Sequence, residues 1–331
     1  MVGLSPFIPV LCRRLLTRAP RDLEHDLLKL SLNVFPSIIA PAGHRARALL
    51  TRVLTEYYSE KHDKDPSASA FAKARAATLR EGGIPDSDVA RIEMLLPFAA
   101  MTNTVPSLFW LFSFVVSRPD LVIQLRKEVE GAILKRDGDE VTVMASASAV
   151  EERCPLLWSC YRETLRMTVH QVSTRTVMQD TTLSDGAGRE YLLKKGVPVQ
   201  LSLGSLNTIE EYWGPNSDEF DPTRFLDFAN RSKTADGPGS PKAMRMAFLP
   251  FGGGAHLCPG RMFAAAEMMA FTASMLLGYD IEPLGGKWDL PPFGNRSLID
   301  AVTKPARDGK GFGARIRRRQ GWENVRWNFE L

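Results

Sequence analysis

The sequence predicts a mainly α protein with a small β portion, built as a helix-rich body around one long buried central helix. Three observations carry the prediction. The first half holds segment after segment of helical spacing, separated by Pro and Gly. Met94 to Ser117 runs for 24 residues without a charge. From about Thr174 the texture changes to β-type patterning around the turn signal Asp185-Gly186-Ala187-Gly188.

Taken in order, segments around 22–35, 43–62 and 67–81 have helical spacing and composition, punctuated by Pro36, Pro41, Pro66 and Gly82-Gly83. The uncharged stretch is long enough to cross a bilayer, so a membrane span competes with a buried helix. The buried helix is the better reading. The stretch holds Pro97, Thr102, Asn103, Thr104 and Pro106, and its periodicity continues upstream through Val89, Ile92 and Glu93. A lone spanning helix rarely carries so many polar groups at its centre. Pro119 to Lys135 is predicted as an amphipathic helix and Cys154 to Val169 as a partly buried one. Segments 174–184 and 191–201 are predicted strands, and Val325, Trp327 and Phe329 alternate near the C-terminus, so a small sheet lies alongside the helical body. The stretch 210–250 is rich in Pro, Gly, Asp and Asn, and Pro259 opens a last helix to about Leu277. With no internal repeat and no interdomain linker, residues 1–331 are expected to form one domain.

Composition excludes several function classes. A chain of 331 residues, 44% hydrophobic and 24% charged, has the balance of a globular protein. A formal charge of +4 with dispersed Lys and Arg argues against nucleic acid as a partner. The one cluster, Arg315, Arg317, Arg318 and Arg319, is expected to be solvated surface. Four cysteines, Cys12, Cys154, Cys160 and Cys258, do not make a disulfide framework and point to a reducing compartment. The five histidines include no H-E-x-x-H pair, and no C-x-x-C lies near them, so a zinc or non-haem iron site has no ligand set. The apolar stretch from Phe7 to Cys12 is too brief for a signal peptide or a membrane anchor.

The chemistry concentrates in Phe251-Gly252-Gly253-Gly254-Ala255-His256-Leu257-Cys258-Pro259-Gly260-Arg261. A glycine-dense loop delivers one cysteine just before a proline able to start a helix. At a helix start the macrodipole and free N–H groups favour a thiolate, which is what an iron ligand requires. Glycines let the backbone fold tightly beneath the sulfur and approach a flat macrocycle, while Phe251 can exclude water from the sulfur. The plain alternative is a buried cysteine in a Gly-rich turn. A phosphate loop is weaker, because no Gly-Lys-Ser/Thr follows.

This segment resembles F-x-x-G-x-H/R-x-C-x-G, the haem-ligand signature of cytochrome P450 enzymes, at every fixed position. The resemblance implies that Cys258 is the axial thiolate of haem b, with Phe251, Gly254, His256 and Gly260 in the cofactor loop. It implies the C-terminal part of that family's fold, a helix-rich body around haem. Two further segments are similar to the family's motifs. Glu163-Thr164-Leu165-Arg166 places a carboxylate and a guanidinium three apart on one helix face, which alone would be an ordinary ion pair. Phe220-Asp221-Pro222-Thr223-Arg224-Phe225 resembles the arginine-bearing meander, so Arg224 is expected to join Glu163 and Arg166 in a structural network. Arg175, at the beginning of the strand after that helix, resembles the position that contacts a propionate.

Within the uncharged helix the family usually shows an Ala/Gly-Gly pair, an acid and a threonine; here stand Ala100, Met101, Thr102, Asn103 and Thr104, and the acid is missing. The resemblance makes Thr104, with Asn103, the oxygen-side catalytic residues. Pro106 has no N–H to give the carbonyl of Thr102, so the helix is expected to open locally. Asn103-Thr104-Val105-Pro106 followed by Phe109-Trp110 looks like the branch of sterol and bile-acid 7α-hydroxylases and, more distantly, prostacyclin synthase. That branch implies a lipophilic substrate, electrons from NADPH through a cytochrome P450 reductase or equivalent, and the cytosolic face of the endoplasmic reticulum membrane. Family members carry a further N-terminal portion with the membrane anchor, most of the main sheet and the early helices, so the domain is expected to be incomplete. Two other functions stay open: an oxygen-independent haem isomerase of a lipid peroxide, and a non-catalytic remnant.

Overall fold

The computed structural model describes residues 10–137, 140–226, 241–294, 300–306 and 312–330. Residues 7–9 of the N-terminal apolar stretch, and 227–240 of the Pro- and Gly-rich region, lie outside the described residues. The chain divides into two compact units, the first ending at Thr102 and the second beginning at Asn103.

The first unit is helical: α1 (Val10–His25), α2 (Leu27–Ser31), α3 (Pro36–Ile39), α4 (Pro41–Ser59), α5 (Ala70–Glu81) and α6 (Asp86–Glu93). The helix expected over 22–35 is broken. Asn33 and Phe35 take positive φ angles of 52° and 39°, and Phe35 precedes a proline, which disfavours helical backbone. Helix α4 opens on Pro41, whose missing N–H costs nothing in a first turn. Helix α5 is capped by Ser69, whose Oγ accepts the Ala72 N–H at 3.2 Å. Ala19, Leu23, Leu30, Ala40 and Ala46 form one apolar cluster, and Tyr58, Ala76, Val89 and Ala90 another. Arg80 bridges Asp63 at 2.6 Å and Asp86 at 2.8 Å, and Arg75 reaches Glu93 at 2.8 Å.

The unit boundary falls inside α7 (Leu95–Val116), the long uncharged helix. It stays helical through Pro106, without the expected local opening. A proline's fixed φ suits a helix, and here its neighbour Ser107 donates its hydroxyl to the Asn103 carbonyl at 2.8 Å. Next come α8 (Pro119–Ile133), β1 (Leu134–Asp137), β2 (Glu140–Ser146), α9 (Ala147–Arg153) and α10 (Pro155–Thr168). The strands β1 and β2 are absent from the sequence-based expectation, which carried the helix on to Lys135.

Each predicted strand of the second half splits in two: β3 (Val172–Thr176) with β4 (Thr181–Ser184), and β5 (Glu190–Leu193) with β6 (Pro198–Ser202). Antiparallel β3–β6 and β4–β5 pairs form separate ladders. Between them Asp180 accepts the Lys195 N–H at 2.9 Å and the Lys194 ammonium at 3.0 Å, while Gly196 turns at φ 86°. Short α11 (Leu203–Leu206), α12 (Glu210–Trp213) and α13 (Pro241–Ala247) precede α14 (Arg261–Gly278), and β7 (Tyr279–Pro283) pairs antiparallel with β8 (Ala314–Arg318). The C-terminal alternation becomes β9 (Arg326–Glu330), parallel to β2.

The core of the second unit gathers Trp110, Leu111, Phe114 and Val115 of α7, Leu121, Leu125 and Val129 of α8, Leu157, Cys160 and Leu165 of α10, and Met268, Met269, Leu276 and Leu277 of α14. Among the described residues no single helix is long and apolar enough to cross a membrane. The bent pair 101–116 and 119–133, which together would suffice, turns by 107°. Arg315, Arg317 and Arg318 are exposed, whereas Arg319 is half-buried and donates to the Leu277 carbonyl at 2.7 Å.

Candidate cofactor site

The loop from Phe251 to Gly260 folds back on itself. The Cys258 N–H donates to the Phe251 carbonyl at 3.0 Å, and the Leu257 N–H to that of Gly254 at 3.2 Å. Gly252 and Gly254 take φ angles of 73° and 64°, the left-handed region that glycine enters without a steric penalty. Phe251 packs against the main core and anchors one end of the loop. Helix α14 starts at Arg261, not at Pro259 as the sequence suggested. The Gly260 carbonyl accepts the first helical N–H, from Ala264 at 2.9 Å, so Gly260 is the cap and Pro259 lies in the preceding turn. Cys258 therefore sits just outside the helix terminus. Its backbone carbonyl accepts the Arg261 guanidinium at 3.1 Å.

Three free cysteines have described side chains, and their surroundings differ. Cys154 and Cys160 are buried, and burial pushes the Cys154 thiol up to about 12 and Cys160 higher still, so both stay neutral. Cys258 alone of the three is partly exposed. His256, in a short 3₁₀ turn over Gly254–His256, is exposed. Arg175 lies near the end of β3 rather than at its beginning, exposed, with Nη2 at 3.5 Å from the Gly253 carbonyl oxygen. The structure thus brings Arg175 to the cysteine loop.

It also brings Glu163, Arg166 and Arg224 together. Glu163 and Arg166, both on α10, have no exposed side-chain surface, and Arg166 grips the carboxylate through Nε and Nη2 at 2.8 Å each. Arg224 Nε reaches Glu163 Oε1 at 2.9 Å. The Asp221 N–H donates to the same oxygen at 3.1 Å. The spare guanidinium donors go to backbone carbonyls: Arg166 to Asn207 and Ser217 at 2.7 and 2.6 Å, Arg224 to Trp213 and Asn216. Trp213 lies under the Arg166 guanidinium, 5.4 Å from centroid to Cζ. The network ties α10 to the segment 207–224. Sequence reading missed Asn207, Trp213, Asn216 and Ser217, because most of them act through backbone carbonyls that carry no side-chain signature.

A second omission is Glu128 of α8. Its two carboxylate oxygens accept the Leu156 and Leu157 N–H groups at 2.8 and 2.9 Å, capping α10, whose own cap residue Cys154 offers no side-chain bond. Burial pushes the Glu128 carboxyl up. Its i, i+3 and i+4 neighbours along α8 give no hint of this long-range partner.

Asn103 and Thr104 stand on a separate element, α7, where Thr104 is buried at 9% exposure and Asn103 is half-buried. The donor set around the cysteine fits a flat anionic macrocycle with one soft axial ligand. It offers a partly exposed sulfur, glycines at 253 and 254 where even an added Cβ would meet nothing within 4 Å, and exposed Arg175 and His256 to face carboxylates.

Comparison with known proteins points the same way. A "Cytochrome P450 monooxygenase" of Gibberella zeae is 38% identical over 309 residues, 92% of this chain and 58% of that protein. "Cytochrome P450 monooxygenase nodJ" of Hypoxylon pulicicidum is 30% identical over 318 residues, 95% of this chain and 59% of that protein. "Cholesterol 7-alpha-monooxygenase" of Cricetulus griseus is 26% identical over 288 residues, 83% of this chain and 56% of that protein. The chain thus spans less than two thirds of the length of these curated relatives. The family model described as Cytochrome P450 matches residues 20–307. With that match and the haem-thiolate ligand the family implies, the chain belongs to the cytochrome P450 family.

Proposed function

We propose that this chain is a haem-thiolate monooxygenase that hydroxylates a lipophilic, sterol- or lipid-like small molecule, using molecular oxygen and electrons passed from NADPH by a cytochrome P450 reductase or an equivalent donor. The Cys258 loop carries the reading: a partly exposed sulfur on a glycine-folded backbone, next to two exposed cationic or protonatable side chains. Haem, when bound, supplies the redox and oxygen-activating chemistry. Cys258 would give its sulfur as the axial ligand, and Arg175 and His256 would hold the propionates. The Glu163–Arg166–Arg224 network would keep the segment 207–224 in one conformation rather than add much stability, since burying charges costs most of what their pairing returns. Thr104, with Asn103 beside it, would hold and pass on a proton at its hydroxyl. The sterol-like substrate is supported by the 26% likeness to the cholesterol enzyme and by a 27% likeness over 303 residues to the human "7-alpha-hydroxycholest-4-en-3-one 12-alpha-hydroxylase". A place on the cytosolic face of the endoplasmic reticulum membrane belongs to the same proposal.

The deciding measurement is the ferrous carbon-monoxide spectrum of the purified chain. A red-shifted thiolate Soret band is expected, and Cys258→Ala must abolish it; a wild-type chain without the band refutes the reading. One observation favours a second function. Asn103 stands where the family usually places an acid, and rearranging a lipid peroxide needs no proton delivery. Turnover without NADPH or reductase, little affected by Thr104→Ala, would select the isomerase. A monooxygenase instead loses product formed per NADPH in Thr104→Ala.

A further inference from the structure

Six large apolar side chains of the first unit lie exposed close together in sequence: Leu28, Leu32, Val34, Phe35, Ile38 and Ile39, on and between the short helices α2 and α3. Phe35 and Ile38 keep 72% and 74% of their surface in solvent. One exposed leucine is ordinary, but a contiguous apolar run marks a surface that meets a partner. The backbone keeps the run from forming one long element. Positive φ angles at Asn33 and Phe35 divide it into helices of 5 and 4 residues, each far too short to span a bilayer.

Charge identifies the partner. Residues 27–44 contain no acid. Among the described residues from Arg18 to Arg52, every exposed charged side chain is cationic or protonatable: Arg18, Arg21, His25, Lys29, Arg45 and Arg52. Asp22 and Glu24 are half-buried, and buried Asp26 is paired with Lys29 Nζ at 3.1 Å. The first turn of α4 is seated against α2, since a Cβ on Gly43 would lie 3.1 Å from Leu30 Cδ1. Arg45, two residues on, therefore starts beside the apolar run, and Arg52 lies two turns further along the same helix face. An apolar surface flanked by cations, with no exposed acid, matches the acyl boundary and headgroups of a negatively charged bilayer.

We propose that the segment 28–39 docks the chain on an anionic phospholipid surface, with Phe35 and Ile38 entering the acyl boundary and Arg45 and Arg52 drawn to the headgroups. The contact is interfacial and reversible, and it selects lipid by charge. It deepens the membrane location proposed above and uses nothing at the cysteine loop.

The test sediments the full chain, supplied with haem, with vesicles of phosphatidylcholine alone and of an equal mixture of phosphatidylcholine and phosphatidylserine. The wild type is expected to bind the mixed vesicles about tenfold more tightly, with a preference that fades as salt is raised. Phe35→Asn combined with Ile38→Asn changes two exposed side chains outside the core, and asparagine tolerates the left-handed backbone at 35. That pair should weaken binding to the mixed vesicles about a hundredfold. Arg45→Gln combined with Arg52→Gln should remove the preference for phosphatidylserine and keep the weaker binding to phosphatidylcholine. Equal wild-type affinity for the two vesicles, or an apolar-pair variant that binds as the wild type does, overturns the proposal. So does a wild-type dimer that the apolar-pair variant dissolves without lipid, which makes a second copy the occupant. The ferrous carbon-monoxide band of the same samples reports separately on the haem reading, which stands if the band is present and docking fails.

Discussion

Glu163 is a fully buried carboxylate held by two guanidinium groups and one backbone N–H. Nothing on its side chain is left over, and its partners are equally committed, Arg166 to three carbonyls besides and Arg224 to Trp213, Asn216 and Glu219. Removing the carboxylate therefore strands two buried cations rather than deleting one contact. Glu163→Ala is expected to destabilise the protein by about 3–5 kcal/mol, the usual result of breaking a buried ion pair from one side. That is a large part of the stability of an ordinary domain. Glu163→Gln keeps the shape and an acceptor oxygen, so its loss should be smaller. Denaturant midpoints of both variants check the order; because Gln strands the two guanidinium charges as Ala does, a Glu163→Gln variant as stable as the wild type would contradict the assignment of the cost to stranded charge. The pairing of Glu163 with Arg166 was legible as a three-residue spacing, and Arg224 through a motif. The carbonyls that complete the cradle were not, because they depend on how the segment 207–224 is folded.

At the scale of elements, the packing of α4 against α2 and the residue that precedes α2 turns on Gly43 in the first turn of α4. Its N–H donates to Asp26 Oδ2 at 2.9 Å, and a Cβ there would lie 2.6 Å from the Asp26 Cβ and 3.1 Å from Leu30 Cδ1. Helix propensity alone favours alanine over glycine by about 1 kcal/mol. The clash decides otherwise, because Asp26 cannot retreat without giving up a buried hydrogen bond. Gly43→Ala is expected to lower stability by about 1–3 kcal/mol, the range for overpacked sites. Loss of helical signal on heating measures it, and a raised melting temperature would show that the neighbours yield freely. Long periodic elements of the fold could be read in advance: the uncharged stretch became α7, and the apolar faces of 119–135 and 154–169 became α8 and α10 within a residue or two. The strands β1 and β2 could not, since β2 finds its parallel partner β9 nearly two hundred residues away and no local pattern records that pairing. Breaks inside the other strands escaped for a similar reason, being made by Asp180 reaching across to Lys194 and Lys195.

For the molecule as a whole, the two units carry their pH dependence in different groups. In the first, the Arg80 guanidinium beside Asp63 holds that carboxyl below the usual carboxylate range, and the Gly43 N–H does the same for Asp26. A lowered pKa means that the folded unit favours the ionised form. The stability it confers is complete above about pH 4, the ordinary pKa of aspartate, and is lost as pH falls through the lowered values. In the second unit, half-buried Glu128 works in the opposite sense. Its raised pKa makes the folded form take up a proton more readily than the unfolded chain, so its contribution to stability improves as pH falls from that raised value toward the ordinary one. The tryptophans separate the two responses: Trp110, Trp158, Trp213, Trp288, Trp322 and Trp327 all follow Asn103, so their emission reports the second unit, while helicity reports both. An asparagine cannot ionise, so Asp63→Asn removes the share that Asp63 contributes at neutral pH, and the corresponding part of the loss in acid, while that of Asp26 remains. The expected result is a variant less helical or less stable than wild type at pH 7, with the difference shrinking as pH falls below about 4, and with tryptophan emission alike in both proteins throughout. A difference that grows in acid would reverse the sign assigned to Asp63, and a matching change in tryptophan emission would show that the ion pair also stabilises the second unit.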